Sequence, residues 1–261
     1  MNNLPIGVFD SGVGGLTVLE SLVKAMPNED YIYIADQGHC PYGTKTNEEI
    51  FNCALRIVKY LERCPVKLIV IACNTASLFC DALQHVTKIP IVSVINPTCQ
   101  QAIKVTKNHR IGVIATIATI NKGTYQKQLV EQGQTVFPLA CSEFVDFIEK
   151  GNLDEKAAQL IVNQKLSYFK DKQIDTLIHG CTHFGILESQ MRNTLGQINY
   201  ISSGDPVSSV VKKLLKDEHL ENIAHNNVIK IYTTGEVKKA LDSMGWLTMP
   251  HDDVEKLNLE D

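Results

Sequence analysis

The sequence predicts an α/β protein made of two similar domains, each a mostly parallel sheet flanked by helices. Two observations support this fold class. Short apolar runs rich in Ile and Val alternate with longer amphipathic stretches, and a pair of sequence patterns recurs in the second half of the chain. Apolar strands separated by helices are typical of parallel sheets covered on both faces. The 261 residues suffice for one large or two modest domains.

The apolar runs have the lengths of strands, and the amphipathic stretches have the lengths of helices. The predicted strands are 5–9, 31–35, 67–73, 90–95, 110–115, 134–139, 174–179, 198–202 and 229–233. The predicted helices are 15–26, 46–63, 75–86, 120–132, 154–170, 184–195 and 205–217. Because the strand segments are nearly continuous in apolar residues, we expect both faces of each sheet to be buried.

The internal repeat consists of two pairs of patterns. Residues 6–11 read IGVFDS and residues 111–116 read IGVIAT, while residues 70–75 read VIACNT and residues 178–183 read IHGCTH. The two pairs occur in the same order and at nearly the same offset. This favours a duplicated domain over chance similarity between apolar strands, so we expect two pseudo-symmetric halves.

The domain boundaries are predicted from prolines and glycines. The Asn96-Pro97 step suits a crossing into the second half, and residues 204–206, Gly-Asp-Pro, suit the return. The first domain is then residues 1–96 plus 206–261, and the second is residues 97–205. Ligands of parallel α/β sheets bind at the carboxyl ends of the strands. If the two halves face each other across a cleft, the active site is therefore expected in the interdomain cleft.

Composition and charge argue against several classes of protein. The formal net charge is −4 and no run of Lys or Arg occurs, so neither nucleic acid nor an anionic membrane surface is an expected partner. The start, MNNLPIGVFD, lacks the features of a signal peptide, and the apolar runs are too short to span a bilayer. The eight cysteines form no C-x-x-C pair, which predicts free thiols and a cytoplasmic protein.

Cys73 and Cys181 are the cysteines that the repeat places at matching positions, each after an apolar strand and before a predicted helix. A thiol placed there faces the positive end of the helix, which favours the thiolate. Two thiols on opposite sides of a cleft suit the removal of a proton from one face of a carbon and its delivery to the other. Asp10 and His183 are candidate bases that would assist them. Buried core filling is the alternative role for any single cysteine.

Two glycine-containing segments are candidate anion sites. Residues 10–15 read DSGVGG, which lacks the third glycine of a dinucleotide fingerprint and the Gly-Lys-Ser/Thr of a phosphate loop. The segment is either a plain strand-to-helix turn or a carboxylate site formed by backbone N–H groups and the Ser11 hydroxyl. The segment Pro41-Tyr42-Gly43 is either a turn or a source of backbone donors and a phenol at the cleft.

Polar residues near the cysteines have both a structural and a functional interpretation. Asn74, Thr75 and Thr182 are residue types that cap helices, and they could also hydrogen-bond a substrate. Glu149 is by default a solvated carboxylate at the end of a helix.

No cofactor and no metal are expected. Cys181-x-His183 and His39-Cys40 offer ligand types for a metal, but no second ligand pair at a usual spacing accompanies them. No lysine stands out as the Schiff-base residue of a pyridoxal enzyme.

Together these motifs resemble those of the aspartate/glutamate racemase superfamily, and within it the glutamate racemases, over nearly the whole chain. Cys40, Ser142 and Gly185 depart from the family pattern, and none of them is a candidate proton-transfer group. The matching segments are DSGVGG at 10–15, PYG at 41–43, ACNTAS at 72–77, ATIATI at 115–120 and GCTHF at 180–184.

The resemblance implies a cofactor-independent isomerase that interconverts L- and D-glutamate and supplies D-glutamate for peptidoglycan precursors in the cytoplasm. It implies that Cys73 takes the α-proton from D-glutamate and Cys181 takes it from L-glutamate. Asp10 would assist Cys73, while His183 and Glu149 would assist Cys181. Homodimers are common in the family. The residues it implies for holding the substrate's carboxylates and ammonium are Ser11, Pro41, Tyr42, Gly43, Asn74, Thr75, Thr116 and Thr182.

Two other functions are compatible with the same sequence. A racemase for aspartate or another acidic amino acid would share both cysteines, so the length of the substrate is open. A non-catalytic two-lobed protein that binds a small ligand would use the same turns, but it would not need a thiol at the matching place in each half.

Overall fold

The computed structural model describes residues 3–149, 154–222, 227–245, 247 and 249–259. The chain divides into two compact units. The first unit comprises Met1–Val94 and Gly204–Asp261, and the second comprises Ile95–Ser203. Each unit contains one sheet whose strands are all parallel. The predicted α/β class with two mostly parallel sheets flanked by helices is therefore confirmed.

The sheet of the first unit is six-stranded, with the order β10-β9-β2-β1-β3-β4. The register places Phe9 of β1 opposite Ile34 of β2 and Ile71 of β3. The polar residues that follow these strands therefore lie along one edge of the sheet. The strands are β1 (Ile6–Asp10), β2 (Tyr31–Ala35), β3 (Leu68–Ile71), β4 (Ile91–Ser93), β9 (Ile229–Thr233) and β10 (Val254–Lys256).

The helices of the first unit cover this sheet. Helix α2 begins with a capping box in which Thr46 and Glu49 each accept from the other's backbone N–H. Helices α1 and α11 pack against each other and against the buried strands. Short 3-10 helices lie at Gln37–His39 and Tyr42–Thr44. The α-helices are α1 (Leu16–Ala25), α2 (Asn47–Arg63), α3 (Asn74–Ser77), α4 (Cys80–Gln84), α11 (Gly204–Asp217) and α12 (Val237–Ser243).

The sheet of the second unit has four strands in the order β6-β5-β7-β8. They are β5 (Arg110–Ala115), β6 (Thr135–Ala140), β7 (Thr176–Gly180) and β8 (Asn199–Ile201). Strand β5 pairs with β7 so that Ala115 lies opposite Gly180. Short 3-10 helices lie at Ser167–Phe169 and Phe184–Leu187. The α-helices are α5 (Ile95–Val105), α6 (Ile117–Lys122), α7 (Thr124–Glu131), α8 (Ser142–Glu149), α9 (Glu155–Leu166) and α10 (Glu188–Leu195).

The two sheets share a strand order. The order β2-β1-β3-β4 of the first unit matches the order β6-β5-β7-β8 of the second. The strands β1 and β5 carry one pair of repeated sequence patterns, and β3 and β7 carry the other. The repeated patterns thus occupy equivalent strands of two sheets with the same connectivity.

Several elements differ from the sequence prediction. The helix predicted at 75–86 is two short helices, and the one predicted at 120–132 is interrupted at Gly123, whose φ of 73° is left-handed. Helix α5 was missed because Pro97 suggested a break, but proline is tolerated in a first turn, where its N–H would have no partner. Strand β10 and helices α8 and α12, all short, were also missed.

Within the described part of the chain, none of the helices has the length and apolar character that a bilayer crossing requires.

Gly180 is expected to be required by close packing at the end of β7. A Cβ atom there would lie 2.8 Å from the Ile114 carbonyl oxygen and 2.9 Å from the Ala115 Cβ, and a backbone atom cannot move aside cheaply. We expect Gly180→Ala to lower the free energy of unfolding by about 1–3 kcal/mol, measured by urea titration with circular dichroism.

Gly185→Ala is the matched control, because a Cβ atom at residue 185 would meet nothing within 4 Å. We expect this variant to change the free energy of unfolding by less than about 0.5 kcal/mol. Equal stabilities for the two variants would contradict the packing argument.

Candidate active site

Asp10 and Gly15 close the turn that follows β1. The buried Oδ2 atom of Asp10 accepts from the Gly15 N–H at 2.7 Å, and the Tyr33 hydroxyl donates to the Gly12 carbonyl at 2.7 Å. A Cβ atom on residue 15 would lie 2.5 Å from the Asp10 Cβ and 2.7 Å from the Tyr33 hydroxyl oxygen. Glycine at 15 is therefore required by the close approach of Asp10, which fixes that carboxylate at the end of the strand.

Cys73 lies beside this turn because β1 and β3 are neighbours. The pairing continues past β3, where the Ala72 N–H donates to the Phe9 carbonyl at 2.9 Å. The Cys73 sulfur then lies 3.6 Å from the Ser11 hydroxyl oxygen and accepts from the Ala76 N–H at 3.4 Å. The first unit therefore brings the predicted residues Asp10, Ser11 and Cys73 together.

The pKa of Cys73 is raised well above the usual thiol value, in the opposite direction to that expected from the sequence. Burial is the largest cause, since only 4% of the residue is exposed, and the charge of Asp10 adds to it. Hydrogen bonds from Ala76 and Ser11 favour the thiolate but do not outweigh these effects. The helix that follows, α3, is a single turn, so its dipole is too small to reverse the result. Cys73 is therefore a thiol at neutral pH.

Asn74 and Thr75 form the start of α3 and are both nearly fully buried. The 3-10 helix at Tyr42–Thr44 packs against α3, so the Pro41-Tyr42-Gly43 segment lies near these two residues. The Tyr42 phenol is 1% exposed and donates to the Asp36 Oδ2 at 2.5 Å. Because the phenol already donates its hydrogen bond to Asp36, the segment has its backbone groups available to bind a ligand.

Cys181, His183 and Glu149 form a connected group in the second unit. The Cys181 sulfur lies 3.7 Å from the His183 Nδ1, and the His183 Nε2 lies 2.9 Å from a carboxylate oxygen of Glu149. His183 is buried, whereas the Glu149 side chain is 30% exposed. Glu149 is the last residue of α8, which the contact between the Phe144 and Phe184 rings holds against the segment after Cys181. An imidazole between a thiol and a carboxylate can accept the thiol proton.

Thr116 follows β5 and lies one position beyond the Ala115–Gly180 pair, next to the strand end that carries Cys181. Its hydroxyl caps helix α6 by accepting from the Thr119 N–H at 3.4 Å, and it lies 3.0 Å from the Thr119 hydroxyl. Thr182 is half-buried beside Cys181. These two threonines are thus near the second thiol. In the repeat, Thr116 corresponds to Ser11 and Thr182 corresponds to Asn74 of the first unit.

One group of described residues combines metal-ligand types. The ligand atoms of Asp36, His39 and Cys53 all lie within 4.8 Å of one another. The Asp36 Oδ1 is 2.8 Å from the His39 Nδ1, which is a hydrogen-bond distance, and the Arg56 guanidinium lies 3.4 Å from the Cys53 sulfur. A fixed cation beside the thiol opposes the binding of a second cation. The chemistry of this group therefore fits a hydrogen-bond network better than a metal centre.

Two buried titratable residues near the candidate site were not predicted from the sequence. Asp36 follows the carboxyl end of β2, a position that the strand-end rule could have identified. His179 lies within β7, two residues before Cys181, and burial lowers its pKa to about 4. The imidazole of His179 is therefore neutral at physiological pH, and only the structure reveals its burial.

Comparison with known proteins identifies the family to which the chain is similar. Residues 6–212 match the family model for Asp/Glu/hydantoin racemases. A glutamate racemase of Pediococcus pentosaceus is 40% identical over 245 residues, which cover 91% of this chain and 92% of that protein.

Two crystal structures are similar to this one over nearly the whole chain. A glutamate racemase isoform of Bacillus anthracis has a TM-score of 0.94 and 35% identity, covering 99% of both chains. A glutamate racemase of Francisella tularensis, in complex with D-glutamate, has a TM-score of 0.93 and 35% identity, covering 100% of this chain and 99% of that one. The resemblance stated from the motifs is thus confirmed, and the chain belongs to the Asp/Glu/hydantoin racemase family of isomerases.

Proposed function

We propose that this protein is a cofactor-independent glutamate racemase in which Cys73 and Cys181 transfer the α-proton. The observation that carries the proposal is the repeated placement of a thiol after equivalent strands, β3 and β7, of two sheets with the same connectivity. Each thiol has its own acid/base neighbours, Asp10 in one unit and His183 with Glu149 in the other. The similarity to glutamate racemases supports glutamate as the substrate.

The proposed reaction removes one proton from the α-carbon and adds another proton to the opposite face of that carbon. With L-glutamate, the Cys181 thiolate removes the α-proton, and the Cys73 thiol delivers its own proton to the opposite face of the carbanion. With D-glutamate the two cysteines exchange roles. This mechanism requires that one sulfur faces each side of the substrate's α-carbon.

The electrostatics around Cys73 support a protonated resting state of this thiol. Burial and the Asp10 carboxylate keep Cys73 protonated, which is the state needed to donate a proton during turnover of L-glutamate. For turnover of D-glutamate, Asp10 would accept the proton of the Cys73 thiol. This transfer would form the Cys73 thiolate and at the same time neutralise the negative charge of the Asp10 carboxylate beside it. His183, held by Glu149, would take the proton of Cys181 in the same way.

Substrate binding is assigned to polar groups beside each thiol. Ser11, Asn74 and Thr75 lie around Cys73, while Thr116 and Thr182 lie around Cys181. The Pro41-Tyr42-Gly43 turn would contribute backbone N–H groups from Tyr42 and Gly43. Hydroxyl and N–H donors of this kind suit the two carboxylates of glutamate, and the amide oxygen of Asn74 suits its ammonium.

We further propose that the enzyme works in the cytoplasm and supplies D-glutamate for peptidoglycan precursors. The eight cysteines, all of which lie in the described residues, are free thiols, as a reducing compartment would keep them. A homodimer stays a prediction from the family resemblance.

An aspartate racemase is the second candidate, because it would use the same pair of thiols. The experiment is incubation of the reduced protein with L-glutamate, D-glutamate and L-aspartate in separate, cofactor-free reactions, followed by chiral chromatography. We expect both glutamate enantiomers to converge on an equal mixture. Turnover of aspartate alone would be consistent with the proposed two-thiol mechanism but would show that the substrate is aspartate and not glutamate. Turnover of neither acid would overturn the racemase proposal in favour of a binding protein.

Each active-site thiol is expected to be indispensable. A serine hydroxyl is far less acidic than a thiol. Cys73→Ser and Cys181→Ser should therefore each lower kcat/KM by about 10²–10⁴-fold. Cys64→Ser is the matched control, because Cys64 is a partly buried thiol at the end of α2 and away from the turns of the site. A Cys73→Ser or Cys181→Ser enzyme that racemises as fast as the control would rule that residue out as a base.

The Asp10 charge is expected to restrain the ionisation of Cys73. Asp10→Asn keeps an oxygen that can accept from the Gly15 N–H but removes the charge that raises the thiol pKa. Because the thiolate is the reactive form, we expect iodoacetamide to alkylate Cys73 several-fold faster in this variant at pH 8. Below the pKa, the rate should rise about tenfold per pH unit in both proteins.

Peptide mass spectrometry would measure this alkylation rate, and the Cys64 peptide of the same digest would serve as the internal control. Equal rates at Cys73 in the two proteins would show that Asp10 does not restrain its ionisation.

A further inference from the structure

Asp36 is a fully buried carboxylate that joins three segments of the first unit. It follows β2 directly and has no exposed surface. Its Oδ2 accepts from the Tyr42 hydroxyl at 2.5 Å. Its Oδ1 accepts from the Thr234 hydroxyl at 2.7 Å and lies 2.8 Å from the His39 Nδ1. Three side chains thus converge on one carboxylate, and one of them belongs to the Pro41-Tyr42-Gly43 turn.

The bond between Tyr42 and Asp36 is a strong one for electrostatic reasons. Burial, followed by the charge of Asp36, raises the pKa of Tyr42 well above its usual value, so the phenol always has a proton to donate. Hydrogen bonds from a neutral donor to an ionised acceptor are shorter and stronger than neutral ones. A buried carboxylate also needs such donors, because leaving one unpaired is costly. The phenol and the carboxylate therefore hold each other in place.

The carboxylate is itself anchored from the opposite side. The Thr234 hydroxyl, which donates to Asp36, also accepts from the Gly38 N–H at 2.9 Å. The ammonium of Lys256 in β10 donates to the carbonyl oxygens of Thr234 and Gly235, each at 2.6 Å. Asp36 thus connects the segments after β2 and β9 to the turn that contains Tyr42.

We propose that Asp36 is a positioning residue that fixes the Tyr42–Gly43 backbone for binding a substrate carboxylate. This rests on the proposed function, in which that backbone contacts glutamate. Asp36 has no exposed surface and its oxygens are engaged with protein donors, so it acts through Tyr42 and not on the substrate. Its effect is therefore on binding, and it takes no part in proton transfer.

The expected signature is a loss of affinity with little loss of turnover. Tyr42→Phe removes the donor but keeps the ring, and Asp36→Asn removes the charge but keeps the size. A misplaced binding group weakens ground-state and transition-state binding together, which raises KM and leaves kcat nearly unchanged. We expect each variant to raise KM for both enantiomers by about 10- to 100-fold and to change kcat by less than about threefold.

A double-mutant cycle with a calorimetric readout tests the coupling. The dissociation constant of racemic glutamate is measured for the wild type, both single variants and the double variant. A racemase does not change the composition of a racemic mixture, so the titration works whether or not the protein turns glutamate over. If Asp36 acts through Tyr42, the double variant binds about as weakly as the weaker single variant.

Glu29→Gln is the matched control, since Glu29 is another buried carboxylate of the same unit, paired with Lys67 and accepting from the Asn222 N–H at 2.8 Å. We expect it to lower the thermal midpoint without changing the dissociation constant or KM. If Asp36→Asn does not fold, the dissociation constant and KM of Tyr42→Phe alone still test the proposal.

The outcomes separate this inference from the proposed function. A Tyr42→Phe protein with wild-type affinity, or additive losses in the double variant, would overturn the positioning role even if the wild type racemises glutamate. A wild type that binds glutamate without racemising it, with coupled losses in the variants, would overturn the racemase proposal and keep the positioning role. Failure of the wild type to bind glutamate would overturn both.

Discussion

The hydrogen-bonded pairing of β1 with β3, and of β5 with β7, is the constraint on which the rest of the candidate site depends. Parallel pairing brings the ends of neighbouring strands to one edge of the sheet, and the register decides which residues meet there. In the first unit it sets Cys73 beside Asp10 and Ser11. In the second it sets Cys181 next to Thr116. A change of register by one residue would turn each of these side chains to the other face.

The two thiols share a position in the fold but not an environment. Cys73 is buried against a carboxylate and is held as a thiol, whereas Cys181 is partly exposed and lies beside an imidazole that a carboxylate supports. L- and D-glutamate have equal free energies, so kcat/KM must be the same in both directions however different the two sites are. The asymmetry is therefore expected to affect which protonation state of the free enzyme predominates, and not the direction that the reaction favours.

Most of the fold could be predicted from the sequence, because buried parallel strands are recognisable as continuous apolar runs. The repeat of IGVFDS and VIACNT in the second half identified the equivalent strands. Features that depend on the environment could not be predicted. The raised pKa of Cys73 results from burial, which outweighs the helix end that the sequence suggested. The bond of Tyr42 to Asp36 joins residues whose proximity no spacing rule encodes, and the proximity of Glu149 to His183 was implied only by the resemblance to the racemase family.

The most direct test of a two-base mechanism is the position of deuterium after brief turnover in deuterated water. L-glutamate is incubated with the enzyme to low conversion, and the two enantiomers are separated and analysed by mass spectrometry. With two bases, the D-glutamate formed carries deuterium at its α-carbon while the remaining L-glutamate stays almost unlabelled, because its proton leaves to one face and solvent deuterium arrives from the other. Equal labelling of both enantiomers from the earliest times would indicate a single base and contradict the account.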